Sequence, residues 1–103
     1  MITAVVTFKL PPEMTREKWR EHNKSVSPRF QKIPGLIRKQ FLYDDNGNGG
    51  GMYLWESREA AEACYNGPWK DAVAAIAVTE PRIAWFETAV IVDNESHQVR
   101  VSD

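Results

Sequence analysis

The apolar positions of this chain fall into short β-branched runs separated by helical stripes. Residues 2–8 (I-T-A-V-V-T-F) are rich in β-branched side chains and stop at Leu10-Pro11-Pro12, which predicts a first strand and a break. Thr15 is a good helix N-cap, and Trp19, Asn23, Val26, Phe30 and Ile33 recur at three- or four-residue steps, as one face of an amphipathic helix requires. Pro28 is expected to kink or end that helix early, and Pro34-Gly35 to finish it. A second strand follows over residues 35–44, with Leu36, Arg38, Gln40 and Leu42 on one side and Ile37, Lys39, Phe41 and Tyr43 on the other.

The middle of the chain hands a hairpin directly to a helix. Asn46-Gly47 and the glycines behind it suit the positive φ of a tight reversal, so an antiparallel third strand is expected over residues 51–56. Ser57 then caps a second helix, with Glu59 at its positive end. That helix is predicted over residues 57–65, interrupted at Asn66-Gly67-Pro68 and resumed over 69–77, where Trp69, Ala72, Val73 and Ile76 keep helical spacing. After Thr79-Glu80-Pro81 a long fourth strand is expected over residues 82–92. The chain thus divides into a domain over residues 1–95 and a polar tail over 96–103, the tail a borrowed strand or a loose end.

The order strand, helix, strand, strand, helix, strand is that of a ferredoxin-like β-α-β-β-α-β sandwich, an α+β fold with two helices on one face of a four-stranded antiparallel sheet. In the first and fourth strands both sides carry apolar residues, among them Val5, Phe86, Val90 and Val92 opposite the set expected to face the helices. Each large apolar side chain left in water forfeits about 1.5–3 kcal/mol of burial. A homodimer packed through its sheets is therefore expected, with the tail reaching toward the partner.

Composition narrows the function more than it names it. With 103 residues and a net charge of −1, the chain fits one domain, and its Lys and Arg are spread rather than blocked, which argues against a nucleic-acid partner. Cys64 is alone, so no internal disulfide can form, and no apolar run approaches the eighteen residues of a membrane span; the cytoplasm is the expected location. Gly47, Gly49, Gly50 and Gly51 match neither a dinucleotide fingerprint nor a Walker loop, because they lead into a strand and no Gly-Lys-Ser/Thr follows. The histidines, His22 and His97, form no metal-ligand motif, so neither a metal nor another cofactor is expected.

The combination G-G-G-M-Y-L-W-E-S-R-E-A-A-E-A over residues 49–63, preceded by P-G-L-I-R-K and followed by W-F-E-T-A-V-I-V-D, resembles the dimeric α+β-barrel superfamily. Within it the chain is most similar to the YdhR-like monooxygenases, near the antibiotic-biosynthesis monooxygenases. The resemblance implies two ferredoxin-like subunits closing a barrel, a pocket in each between sheet and helices, and oxidation of electron-rich phenolic or quinol substrates, in several members without metal or flavin. Relatives often carry a histidine late in the second helix, where this chain has Cys64-Tyr65.

The aromatic residues supply the candidate site. Trp19, Tyr53, Trp55, Tyr65, Trp69, Trp85 and Phe86 could converge between sheet and helices and hold a flat aromatic ligand, or serve as packing. Asn23 and His22 border the stripe facing the sheet, and His22 is the candidate proton acceptor for a phenolic substrate. Arg38 and Glu87 fit cross-strand pairing or a barrel rim better than a pocket, and Cys64 reads as a small buried hydrophobe. The expected function is a cofactor-independent monooxygenase acting on a small aromatic, quinol or polyketide-like compound. The alternatives are a related cyclase or isomerase, or a non-catalytic protein that binds a small hydrophobic ligand, with a stress-response role among the options.

Overall fold

Four strands, β1 (Ile2–Lys9), β2 (Leu36–Tyr43), β3 (Asn48–Trp55) and β4 (Arg82–Glu87), form one antiparallel sheet in the order β2-β3-β1-β4. The structure, a computed structural model, describes residues 1–102; Asp103, the end of the predicted tail, lies outside the described residues. Helix α1 (Arg16–Phe30) joins β1 to β2, and α2 (Arg58–Tyr65) and α3 (Pro68–Ala74) join β3 to β4. This is the ferredoxin-like sandwich, with the second crossover broken where Gly67 and Pro68 stand.

Local chemistry sets these boundaries. Thr15 Oγ1 accepts from the Lys18 N–H at 3.2 Å, and Ser57 Oγ from the Ala60 N–H at 3.1 Å, so each of these two helices starts on a capped donor. In the β2–β3 turn Asp44 Oδ1 accepts from the N–H groups of Asn46 and Asn48, each at 2.9 Å. The Asn48 side chain and these backbone donors hold the Asp44 carboxyl below its usual range.

Ile2, Ala4, Val6 and Phe8 of β1 register with Trp55, Tyr53, Gly51 and Gly49 of β3, which puts all of them on the helix-facing side. Ala4, Val6, Phe8, Leu10, Trp19, Tyr53, Trp55, Ala61, Tyr65 and Val73 make the buried core there. The opposite face is open and apolar: Phe86 is 55% and Met52 42% exposed, beside half-buried Val5 and Leu54.

The expected elements are corrected in five places. Helix α1 runs through Pro28 to Phe30, because a proline three residues from the Gln31 C-cap removes only one hydrogen bond of the last turn. Strand β3 begins at Asn48, three residues before the expected start at Gly51, so Gly49 and Gly50 are strand residues paired with Phe8 and Thr7 rather than part of the turn. A register shift between Leu36 and Arg38 lets Leu36 pair with Trp55 and join the core, away from the face of Arg38. Helix α3 stops at Ala74, short of 77, capped by Ala75, whose N–H donates to the Asp71 carbonyl.

The expected long fourth strand is also broken. At Thr88-Ala89 the chain leaves the sheet, held by the Thr88 N–H donating to the Met1 carbonyl at 3.0 Å and by a 2.6 Å bond between the hydroxyls of Thr3 and Thr88. Beyond it, β5 (Val90–Asp93) pairs with β6 (Gln98–Val101) as a separate hairpin, so this part of the tail is a strand on the chain's own β5.

Candidate functional site

The helix-facing side of the sheet has a floor without side chains. At Gly51 a Cβ would stand 3.0 Å from Lys39 Cε and from Tyr53 Cε1, and at Gly49 one would stand 2.7 Å from Leu10 Cδ1 and 3.0 Å from Trp19 Cζ2. Glycine at both positions lets large side chains from β2 and α1 lie low over β3. A cavity of about 520 Å³ remains between β2, β3 and the helices, within the usual range for small-molecule sites.

Helix α1 supplies one wall. Trp19 is buried, and its indole N–H donates to the Leu42 carbonyl at 2.9 Å, pinning α1 to β2. One turn on, His22 lays its ring on Trp19, with centroids 5.7 Å apart and planes 16° from parallel. Asn23 beside it is 7% exposed, and its Oδ1 is buried with no hydrogen-bond partner. A buried acceptor left unpaired is costly.

Strands β2 and β3 supply the other wall. The Lys39 amine sits 3.3 Å from the centroid of the Phe30 ring, 3.8 Å from that of Phe41 and 4.5 Å from that of Tyr53. Burial lowers its pKa to about 7, with Cys64 acting weakly in the other direction. Burial in turn pushes the Cys64 thiol up, against the pull of Lys39. Tyr53 accepts from the Trp69 indole N–H at 3.1 Å, and burial keeps its phenol protonated far above neutral pH. The cavity can therefore hold a flat apolar ligand, give or take a proton at Lys39, and donate hydrogen bonds without ionising its tyrosine.

Of the residues singled out in the sequence, Trp19, His22, Asn23, Tyr53 and Trp69 line this cavity. Trp55, Tyr65, Trp85 and Phe86 do not. Trp55 is fully buried and donates its indole N–H to the Tyr65 hydroxyl at 3.1 Å, while Trp85 packs on Tyr65 at 5.8 Å and carries the Arg58 guanidinium 3.9 Å over its ring. Trp55, Tyr65 and Trp85 form an aromatic layer outside the cavity lining. Arg38 and Glu87 are exposed and also stand outside it. Sequence reasoning missed Lys39, Arg29 and Cys64 as lining residues. For Lys39 the signal was present: it alternates with Phe41 and Tyr43, a cation on the apolar side of a strand.

Among the described residues no group of three or more His, Cys, Asp or Glu could hold a metal ion. The nitrogen bases of the cavity are His22, stacked on Trp19, and Lys39, enclosed by three rings. No helix among the described residues is long and apolar enough to cross a membrane.

Comparison with solved structures identifies the fold as the α+β fold of the antibiotic biosynthesis monooxygenases. A Nitrosomonas europaea protein classed as such an enzyme superposes with a TM-score of 0.66 at 19% identity, over 85% of this chain and 98% of its own. The monooxygenase of the ActVA-Orf6 gene of Streptomyces coelicolor, solved with nanaomycin D, gives 0.66 at 19% identity over 87% and 90%. MhuD, solved as a mutant with two manganese protoporphyrin IX molecules bound per active site, gives 0.69 at 21% identity over 91% and 100%. No family model and no curated protein matches the sequence.

Proposed function

We propose that the protein is a cofactor-independent monooxygenase acting on a small planar aromatic, quinol or polyketide-like compound held between sheet and helices. The observation that carries this reading is the cavity itself: about 520 Å³, walled by Trp19, Phe30, Phe41, Tyr53 and Trp69, with a few polar groups among them. It lies in a fold shared with the nanaomycin-bound Streptomyces monooxygenase.

In this reading His22 removes a proton from a phenol or an activated CH₂, leaving an electron-rich anion that reacts with oxygen. Tyr53, held by Trp69, donates to the developing charge. For an anthrone-type substrate the CH₂ becomes C=O, one oxygen atom enters the product and the other leaves as water with the two hydrogens. An oxygen electrode tests this: chelator-treated protein is expected to consume oxygen with such a substrate, and His22→Ala to slow turnover about 10²- to 10⁴-fold while still binding. Full activity in His22→Ala removes that residue's role.

A second reading, a protein that binds a small aromatic without chemistry, is favoured by the His22 ring, which is stacked on Trp19 with no hydrogen bond to orient it. Absence of oxygen uptake with any ligand that binds would select it. We further propose a homodimer through the open sheet face. Supporting this are exposed Phe86 and Met52 and the four valines of the hairpin, Val90, Val92, Val99 and Val101.

A further inference from the structure

The cavity holds a basic group with no anion beside it. The Lys39 amine is a donor and a potential cation enclosed by the rings of Phe30, Phe41 and Tyr53. The titratable and charged groups that line the cavity with Lys39 are His22 and Arg29 of α1, Tyr53 of β3 and Cys64 of α2. No carboxylate among the described residues lines the cavity, so the protein itself offers no anion to an ammonium there.

We propose that the cavity selects planar aromatics carrying an acidic hydroxyl, such as hydroxyquinones and acidic phenols, and binds them as anions, the oxyanion paired with the Lys39 ammonium. An oxyanion supplies the missing counter-charge in a poorly solvated place, where a charge-assisted bond is strongest. The ring faces around the amine favour the ammonium form through cation–π attraction. Because burial brings the amine to about pH 7 when empty, binding an anion above neutrality draws a proton onto Lys39. The inference rests on the reading of the cavity as an aromatic ligand site and names its ligand class.

The test uses two probes of nearly one shape, 2-hydroxy-1,4-naphthoquinone, an anion at neutral pH, and its 2-methoxy ether, titrated by quenching of tryptophan fluorescence. Wild-type protein at pH 6.5 is expected to bind the hydroxy probe at least tenfold more tightly than the ether. Its affinity should fall as pH rises from 7 to 9 while the ether's stays level. In Lys39→Met the preference should shrink to twofold or less, with ether binding retained. Equal affinities in the wild type, no binding of either probe, or an intact preference in Lys39→Met would overturn the proposal. If Lys39→Met does not fold, the wild-type pH series decides alone. Oxygen uptake is read separately: a lost charge preference with intact uptake sinks this inference only, and a clear preference without uptake sinks only the oxygenase reading.

Discussion

The indole N–H of Trp69 donates to the phenol oxygen of Tyr53 at 3.1 Å, tying α3 to the middle of β3 beside the cavity that both line. Removing the acceptor leaves a part-buried donor unpaired, which costs about 1–3 kcal/mol. Tyr53→Phe is therefore expected to lower stability by that amount in denaturant titrations and to change the emission of Trp69. An unchanged midpoint would mean that water replaces the phenol.

Lys39 should write its burial into the pH dependence of stability. Its folded pKa of about 7 lies below the ordinary lysine value of 10.5, so between the two the unfolded chain binds more protons and stability rises with pH. The expected gain between pH 7 and 9 is roughly 2–3 kcal/mol. Lys39→Met should abolish that slope and be the more stable protein at pH 6. Parallel curves for the two proteins would show that the amine stays solvated.

Gly49→Ala tests the glycine floor. The added methyl would meet Leu10 Cδ1 at 2.7 Å and the Trp19 ring at 3.0 Å, both parts of packed, buried side chains. Overpacking of this kind costs about 1–3 kcal/mol. Thermal unfolding should show the loss, and a stable Gly49→Ala would mean that α1 can lift from the sheet.

The element order was legible because each element announces itself locally. Thr15 and Ser57 sit where N-caps belong, and the β-branched run of β1 can form little but a strand. Boundaries set by long-range contacts were not legible. Strand β4 ends where Thr88 reaches Met1 and Thr3, and β3 starts early because Asn48 pairs with Lys9 across the sheet.

The site divides in the same way. Helical spacing places Trp19, His22 and Asn23 on one face of α1, and that face lines the cavity. Alternation along a strand gives the side but not the depth, so Trp55 and Trp85 were grouped with Tyr53 although they lie beyond the cavity against Tyr65. Lysine is almost always solvated, so the place of Lys39 on the Phe41 side of β2 was a weak signal, and the closing contact with Phe30 of α1 is made only in the fold.

The exposed valines on one face of β5 and β6, with Phe86 and Met52 on the open sheet, set an expectation for assembly. Sedimentation at micromolar concentration should give a dimer, and Phe86→Glu should shift it toward monomer. A wild-type monomer would remove the barrel.

The most direct measurement is an anaerobic fluorescence titration of wild-type and Ala72→Trp proteins with a planar naphthohydroquinone. Ala72 is an exposed α3 residue that lines the cavity, so a tryptophan there can fill the space without breaking the core. Saturable quenching in the wild type, lost in Ala72→Trp at an unchanged unfolding midpoint, is the expected result. Equal binding by both proteins, or none by the wild type, would contradict the assignment of this cavity as the ligand site.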